Sequence, residues 1–153
     1  MPAMAGQFPE SEAARTIRRG VMRWVMEAGW AAVPEVTLVT GRRLDLLCLE
    51  RGGILTAIEV KSGLADFRAD SKWQDYRGYA DRFAFAVDRE FPLAVLPEDV
   101  GVILADAWGA EWLRPPPDHP LSAARRKAML IRFAMIAGRR LAAPGLPDPE
   151  GAS

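Results

Sequence analysis

The chain of 153 residues has little of several residue types on which common enzyme sites depend. Its one cysteine, Cys48, excludes a disulfide framework and is expected to fill space in the core. Its one histidine, His119, lies in a proline-rich turn with no serine or cysteine partner, so no hydrolase triad is recognisable. No apolar run approaches the ~20 residues that cross a membrane, and the N-terminus lacks the pattern of a signal peptide. We therefore expect a cytoplasmic protein with no membrane partner.

Lysine is also scarce in this chain. Three of the 20 basic residues are lysines, and Lys61 and Lys72 lie close together in the sequence. Lysine is a compact charge whose pKa can be shifted, whereas arginine stays protonated, which suggests that these positions need an amine. The formal net charge is zero, which argues against charge-driven coating of nucleic acid but leaves open a local basic surface.

Residues 54–62 have the pattern of a strand that carries two charges in its interior. Successive side chains of a strand point to opposite faces, so Glu59 and Lys61 share one face. Residues 44–50 form a second apolar strand with Asp45 near its start, and the short connection containing two glycines predicts an antiparallel hairpin. In that hairpin Asp45 lies opposite Glu59. Two acids and a lysine are therefore predicted to meet at one place on the sheet.

These side chains suit a divalent cation. Two carboxylates within ~5 Å of each other repel by roughly 1–4 kcal/mol, and a cation removes that repulsion. We expect Asp45, Glu59 and the main-chain carbonyl of Val60 to hold Mg²⁺, for which Mn²⁺ could substitute. Lys61 could then orient or deprotonate a metal-activated water, or offset charge on a phosphate during phosphodiester hydrolysis. The alternative is an ion pair between Lys61 and one of the acids on a solvated edge of the sheet.

Hydrophobic periodicity predicts an α/β fold: a mixed sheet of five to six strands with helices on both faces. A single domain is expected over residues 11–142, with a flexible N-terminus at 1–10 and a flexible tail at 143–153. The predicted elements are helix 11–29, strands 33–39, 44–50 and 54–62, helix 63–79 with a break near residue 71, strands 82–87, 100–105 and 110–114, and helix 121–141. The apolar stripe predicted for the last helix is Leu121, Ala124, Ala128, Ile131 and Met135.

Several blocks of sequence together resemble a known family. They are Arg43-Leu44-Asp45, Glu59-Val60-Lys61-Ser62, Asp66-Phe67-Arg68-Ala69-Asp70, Lys72-Trp73-x-Asp75-Tyr76, Asp81-Arg82-Phe83 and Arg125-Arg126-Lys127-Ala128. The acids and the lysine on neighbouring strands resemble the PD-(D/E)XK nuclease superfamily, which includes many type II restriction enzymes and archaeal Holliday-junction resolvases. The whole string, over about residues 12–141, resembles the MmcB-type DNA repair proteins of bacteria.

The resemblance implies a restriction-endonuclease-like fold, DNA as a partner and a role in DNA repair. The resolvases place a further acid on the first helix; Glu12 is the candidate by position, and Glu35 on the first strand is the alternative. The leading hypothesis is an Mg²⁺-dependent nuclease, and the alternative is a catalytically silent module that binds DNA structures or recruits repair proteins. A homodimer is a further expectation, because nucleases of these families that cut both strands are commonly dimers.

Four residues are candidates for contacts to DNA. Lys72 and Tyr76, one helical turn apart, could grip a phosphate beside the scissile bond. Arg42 and Arg43, at the start of the strand that carries Asp45, could also bind phosphate. Ordinary structural or solvated roles are the alternative for each of them. The acids that follow the lysine, Asp66 and Asp70, are interpreted as helix-start residues.

Overall fold

The computed structural model describes residues 10–70 and 73–150. The elements in chain order are α1 (Glu12–Glu27), β1 (Ala31–Thr37), β2 (Arg43–Leu49), β3 (Leu55–Val60), α2 (Leu64–Ala69), a 3₁₀ segment (Trp73–Tyr79), β4 (Arg82–Val87), a short 3₁₀ turn (Leu93–Val95), β5 (Gly101–Ala105), β6 (Ala110–Arg114) and α3 (Ala123–Ala142). The predicted elements are confirmed with shifts of one or two residues at most ends, except that the predicted helix 63–79 is a six-residue α-helix followed by a 3₁₀ segment. The predicted break near residue 71 lies outside the described residues.

The six strands form one mixed sheet in the order β1-β2-β3-β4-β5-β6. β1, β2 and β3 pair antiparallel, β3, β4 and β5 pair parallel, and β6 returns antiparallel to β5. The parallel pairing of β3 with β4 follows from the α2 crossover, since parallel strands need a long connection. The predicted α/β class is confirmed.

Both faces of the sheet are covered, as the apolar runs of the central strands require. One face packs on α1 through Ile17, Val21 and Val25, and the other packs on α3 and on Trp73 and Tyr76. Alternation along the strands therefore sends Leu46 and Ile58 toward α1, and Leu47 and Ala57 toward the other side. Within the described part of the chain, no helix is long and apolar enough to span a membrane.

The predicted apolar stripe of α3 is wrong. Ile131 and Met135 are 53% and 48% exposed, and the buried positions are Met129, Phe133 and Ile136. Apolar residues at three-four spacing lie on two sides of this helix, so periodicity alone does not fix its rotation. The side with the larger side chains faces the sheet, where it fills more of the core.

A buried acid joins α3 to the sheet. Asp81 is 2% exposed, and its carboxylate accepts hydrogen bonds from the amides of Leu55 and Leu121, both at 2.8 Å. Arg126 binds both of its oxygens, with one N–O distance of 2.7 Å. Burial alone would raise the pKa of Asp81, but these hydrogen bonds outweigh burial and hold the pKa below its ordinary value. The sequence blocks that contain Asp81 and Arg126 are thus in direct contact, and this contact joins α3 to the sheet.

The segment after α3 folds back along that helix. The guanidinium of Arg140 pairs with Asp148 at 2.7 Å, and Arg132 donates a hydrogen bond to the carbonyl of Pro149. Residues 143–150 are therefore tied to α3. The remainder of the two termini that were predicted to be flexible, residues 1–9 and 151–153, lies outside the described residues.

We expect Gly20→Ala to destabilise the protein, because α1 passes very close to the β5–β6 turn at this residue. A Cβ atom on Gly20 would lie 1.8 Å from the carbonyl oxygen of Asp106 and 2.6 Å from that of Gly109. Overpacking of this kind costs about 1–3 kcal/mol, and here the obstacle is backbone.

The matched control is Gly138→Ala in α3, where an added Cβ meets nothing within 4 Å. Alanine is the better helix former, so this variant is expected to gain about 0.5–1 kcal/mol. Urea unfolding midpoints measure both effects. Equal midpoints for the two variants would contradict the close approach.

Candidate active site

The hairpin of β2 and β3 brings the two predicted acids side by side. Leu46 faces Ile58 in the last pair of the antiparallel register, and Asp45 and Glu59 are the next residues on the two strands. The amide of Asp45 donates to Glu59 Oε1 at 2.8 Å, and the amide of Val60 donates to Asp45 Oδ2 at 2.8 Å. Each acid is thus held by the backbone of the neighbouring strand where the two strands separate.

The acids and the lysine line one solvent-open groove of about 540 Å³. Glu59 and Lys61 are only 4% and 5% exposed, and Val60 between them packs toward α1. The groove is lined by Glu10, Ser11, Ala14, Arg18, Glu35, Arg43, Asp45, Glu59, Val60, Lys61, Ser62 and Asp66. A small ligand in this groove could therefore reach the three central polar side chains.

Burial is the main cause that raises the pKa of both acids. For Glu59 burial is the main cause, and the charge of Asp45 raises the pKa further, to well above its ordinary value. Burial also raises the pKa of Asp45, against the opposing hydrogen bond from the Val60 amide. Two acids that resist ionisation beside each other form a site that a cation would stabilise.

Lys61 is paired with acids of α2. Its Nζ lies 2.8 Å from Asp70 Oδ2 and 3.8 Å from Asp66 Oδ1. Burial alone would lower the pKa of Lys61, but Asp70 and Asp66 together raise it above its ordinary value. Asp66 lies in the first turn of α2, as predicted, whereas Asp70 is the residue that ends this helix. The pairing of these two acids with the lysine was not predicted from the sequence.

The two candidates for a further acid lie in different places. Glu35 lines the groove, with a backbone φ of 54°, and its carboxylate is 3.7 Å from Arg18. Glu12 lines a separate depression beside Asp106. Arg18 also pairs with Glu10 at 2.7 Å, and both residues line the groove. By position, Glu35 is the better candidate for contact with a ligand in the groove.

Of the residues predicted to contact DNA, one lines the groove and two others make contacts within the protein. Arg43 lines the groove, whereas Arg42 pairs with Asp75 at 3.1 Å. Tyr76 is buried against Phe83, and its hydroxyl donates to the carbonyl of Arg43 at 3.2 Å. That hydroxyl therefore supports the start of β2. Lys72 lies outside the described residues.

The donor atoms of the groove match the preferences of a hard cation. Within residues 10–70 and 73–150, no group of three or more histidines, cysteines or acids is arranged to hold a metal ion. Mg²⁺ needs fewer protein ligands, because it is commonly bound by one or two carboxylates and keeps several waters for a phosphate substrate. Asp45 and Glu59 supply such a pair, and the Val60 carbonyl lies between the charged side chains in sequence.

Comparisons with known proteins find one family and one solved structure that match nearly the whole chain. The family described as DNA repair protein MmcB-like matches residues 2–147. A solved structure, described as a protein of unknown function from Silicibacter pomeroyi, is 41% identical with a TM-score of 0.82. That similarity covers 94% of this chain and 97% of the other. A search of curated proteins finds no match.

The fold and the groove define an α/β protein that carries two carboxylates and a lysine where β2 begins and the adjoining β3 ends. The family match spans nearly all of the sequence. The chain belongs to the MmcB-like family of DNA repair proteins.

Proposed function

We propose that this protein is a metal-dependent deoxyribonuclease of DNA repair. Asp45, Glu59 and the Val60 carbonyl would hold Mg²⁺, and Lys61 would act on the attacking water or on the phosphate. Membership of a DNA repair family supports DNA as the substrate class. Arg43 and Arg18 at the groove would contact its phosphates, and Arg42, Lys72 and Tyr76 remain proposed contacts or supports beside it.

The observation that carries this proposal is the pair of largely buried acids in a solvent-open groove. Within the described residues neither Asp45 nor Glu59 forms a salt bridge, and the nearby Lys61, whose charge lowers the pKa of both acids, makes its own salt bridges with Asp66 and Asp70. A buried pair of acids that is only partly compensated in this way is unfavourable for folding. Its presence is explained by a cation that binds there when the protein works.

The division of labour follows from the side chains. A bound Mg²⁺ supplies Lewis acidity and lowers the pKa of a coordinated water. Asp45 and Glu59 are held in position by the hydrogen bonds that their carboxylates accept from backbone amides. The ammonium of Lys61 stands at the end of the same strand, where it can donate a hydrogen bond to a water or to a phosphate oxygen.

The test is cleavage of branched, nicked, flapped and plain duplex DNA by the purified protein with Mg²⁺ or Mn²⁺. Activity should require the metal, and Lys61→Ala should lower it about 100- to 1000-fold, because one charge stabiliser of the transition state is lost. Arg89→Ala, which lies outside the groove, serves as the control. Cleavage that survives both Glu59→Ala and Lys61→Ala would sink the assignment.

The second candidate is a DNA-structure-binding or partner-recruiting module that does not cleave. It is favoured by the ion pairs of Lys61, which engage the ammonium with α2 in this structure. Calorimetric titration with Mg²⁺ separates the two functions. A module that binds no Mg²⁺, and keeps its DNA affinity in Asp45→Asn, does not use the groove as an enzyme.

A further inference from the structure

The side chain of Lys61 has two sets of acids within its reach. Glu59 lies two residues earlier on the same strand face, with Asp45 beside it. Asp66 and Asp70 lie on α2 and at its end. Within residues 10–70 and 73–150, the salt bridges of this lysine go to the α2 acids and none goes to the strand acids.

This choice of partner matters because an ammonium is itself a cation. If the ammonium of Lys61 turned toward Glu59, it would neutralise the carboxylate that a divalent cation needs as a ligand. It would also occupy part of the space in which that cation would bind. The contact with Asp70, at 2.8 Å between largely buried groups, gives the ammonium a competing counter-charge at the end of α2. Asp66 adds to it at 3.8 Å, and is itself fixed by the Ser62 amide at 3.2 Å.

We propose that Asp70, assisted by Asp66, is a positioning residue that keeps Lys61 off the acidic pair, so that Asp45 and Glu59 stay available to a divalent cation. This inference rests on the proposed function, because it concerns the same groove. It gives the acids of α2 a role beyond stabilising the start of a helix: they determine whether Lys61 pairs with them or with the acids of β2 and β3. The metal affinity of the groove is then set partly by a residue that does not touch the metal.

The first consequence concerns metal affinity. In Asp70→Asn the ammonium loses its nearest counter-charge and turns toward Glu59. Mn²⁺ binding, measured by calorimetry on the whole protein, is expected to weaken about 10- to 100-fold, the usual range for a residue that supports a metal ligand indirectly. Asp70→Glu, which keeps the charge, should retain most of the affinity. Asp99→Asn, which removes the partner of Arg77 at 2.9 Å, should leave it unchanged.

A double variant separates positioning from a general structural role. In Asp70→Asn/Lys61→Met no ammonium remains to compete, so Mn²⁺ affinity is expected to return to within about threefold of the wild type. Damage to the fold would not be repaired by the second substitution. In cleavage assays, Asp70→Asn should raise the Mg²⁺ concentration needed for half-maximal rate, with a smaller effect on the rate at saturating Mg²⁺.

A second readout follows the lysine directly. The chain has three lysines, so protein labelled with ¹⁵N at lysine Nζ gives at most three side-chain signals, assigned by Lys→Arg variants. The Lys61 signal should shift in Asp70→Asn and stay in place in Asp99→Asn. This readout requires neither metal nor DNA.

The outcomes distinguish the two proposals. Wild-type protein that binds Mn²⁺ as tightly as Asp70→Asn overturns the positioning role and leaves the nuclease proposal standing. Failure of the double variant to regain affinity also overturns it. Wild-type protein that binds no divalent metal overturns both proposals, and the lysine signal then reports only whether Asp70 holds Lys61.

Discussion

Glu59→Gln is expected to lower DNA cleavage at least about a hundredfold while leaving the fold as stable as the wild type or more stable. Loss of a metal ligand removes several kcal/mol of transition-state stabilisation, and each 1.36 kcal/mol corresponds to a factor of ten in rate. Glutamine keeps an oxygen that can accept the hydrogen bond from the Asp45 amide. It also removes an acid whose ionised form is costly where it is buried without a cation.

Two measurements on one preparation check this result: cleavage rate in Mg²⁺, and the urea midpoint in EDTA. The matched control is Glu50→Gln on the same hairpin, where the carboxylate pairs with Arg82 at 3.2 Å, away from the groove. That variant should cleave normally and be no more stable than the wild type. A Glu59→Gln protein that is both active and less stable would show that the acid serves the fold and not the chemistry.

Asp81→Asn is expected to cost about 1.5–3 kcal/mol of stability, the range for a hydrogen bond to a charged group, because Arg126 is 28% exposed and keeps part of its hydration. An amide group cannot replace both carboxylate oxygens, which accept hydrogen bonds from Leu55, Leu121 and Arg126. At least one donor, or the charge of Arg126, is left without its partner. Asp99→Asn, in an exposed pair with Arg77, is the control and should change stability little.

The carboxylate of Asp81 also affects how the stability of the fold decreases at low pH. The folded-state pKa of Asp81 lies below the ordinary value of 3.8, so its contribution is fully present above that value and is lost as the pH falls through the lower folded pKa. As the pH is lowered from about 5 to about 2, urea midpoints should therefore fall less steeply in Asp81→Asn than in the wild type. Parallel acid limbs for the two proteins would contradict this account.

The centre of the candidate site could be predicted from sequence because it depends on local rules. Alternation along a strand puts Glu59 and Lys61 on one face, and the length of the connection sets the register that brings Asp45 beside them. These are contacts within one hairpin. The strand order β1-β2-β3 and the parallel return to β4 follow from equally local signals.

The features that escaped prediction depend on contacts between distant parts of the chain. Nothing near Gly20 in the sequence shows that the β5–β6 turn will press on it. The pairing of Asp81 with Arg126 spans 45 residues, and the rotation of α3 depends on which of two apolar sides fills the core better. Asp70 could have been found by asking which acid neutralises a lysine buried in an apolar strand.

The contact between Asp81 and Arg126 also has a consequence for synthesis on the ribosome. Arg126 emerges after all six strands, so until then the Asp81 carboxylate at the start of β4 lacks its counter-ion. The nascent sheet can collapse early, but it cannot close around a bare charge at low cost. The end of the sheet at Asp81 is therefore expected to be completed only late in translation, when α3 has been made.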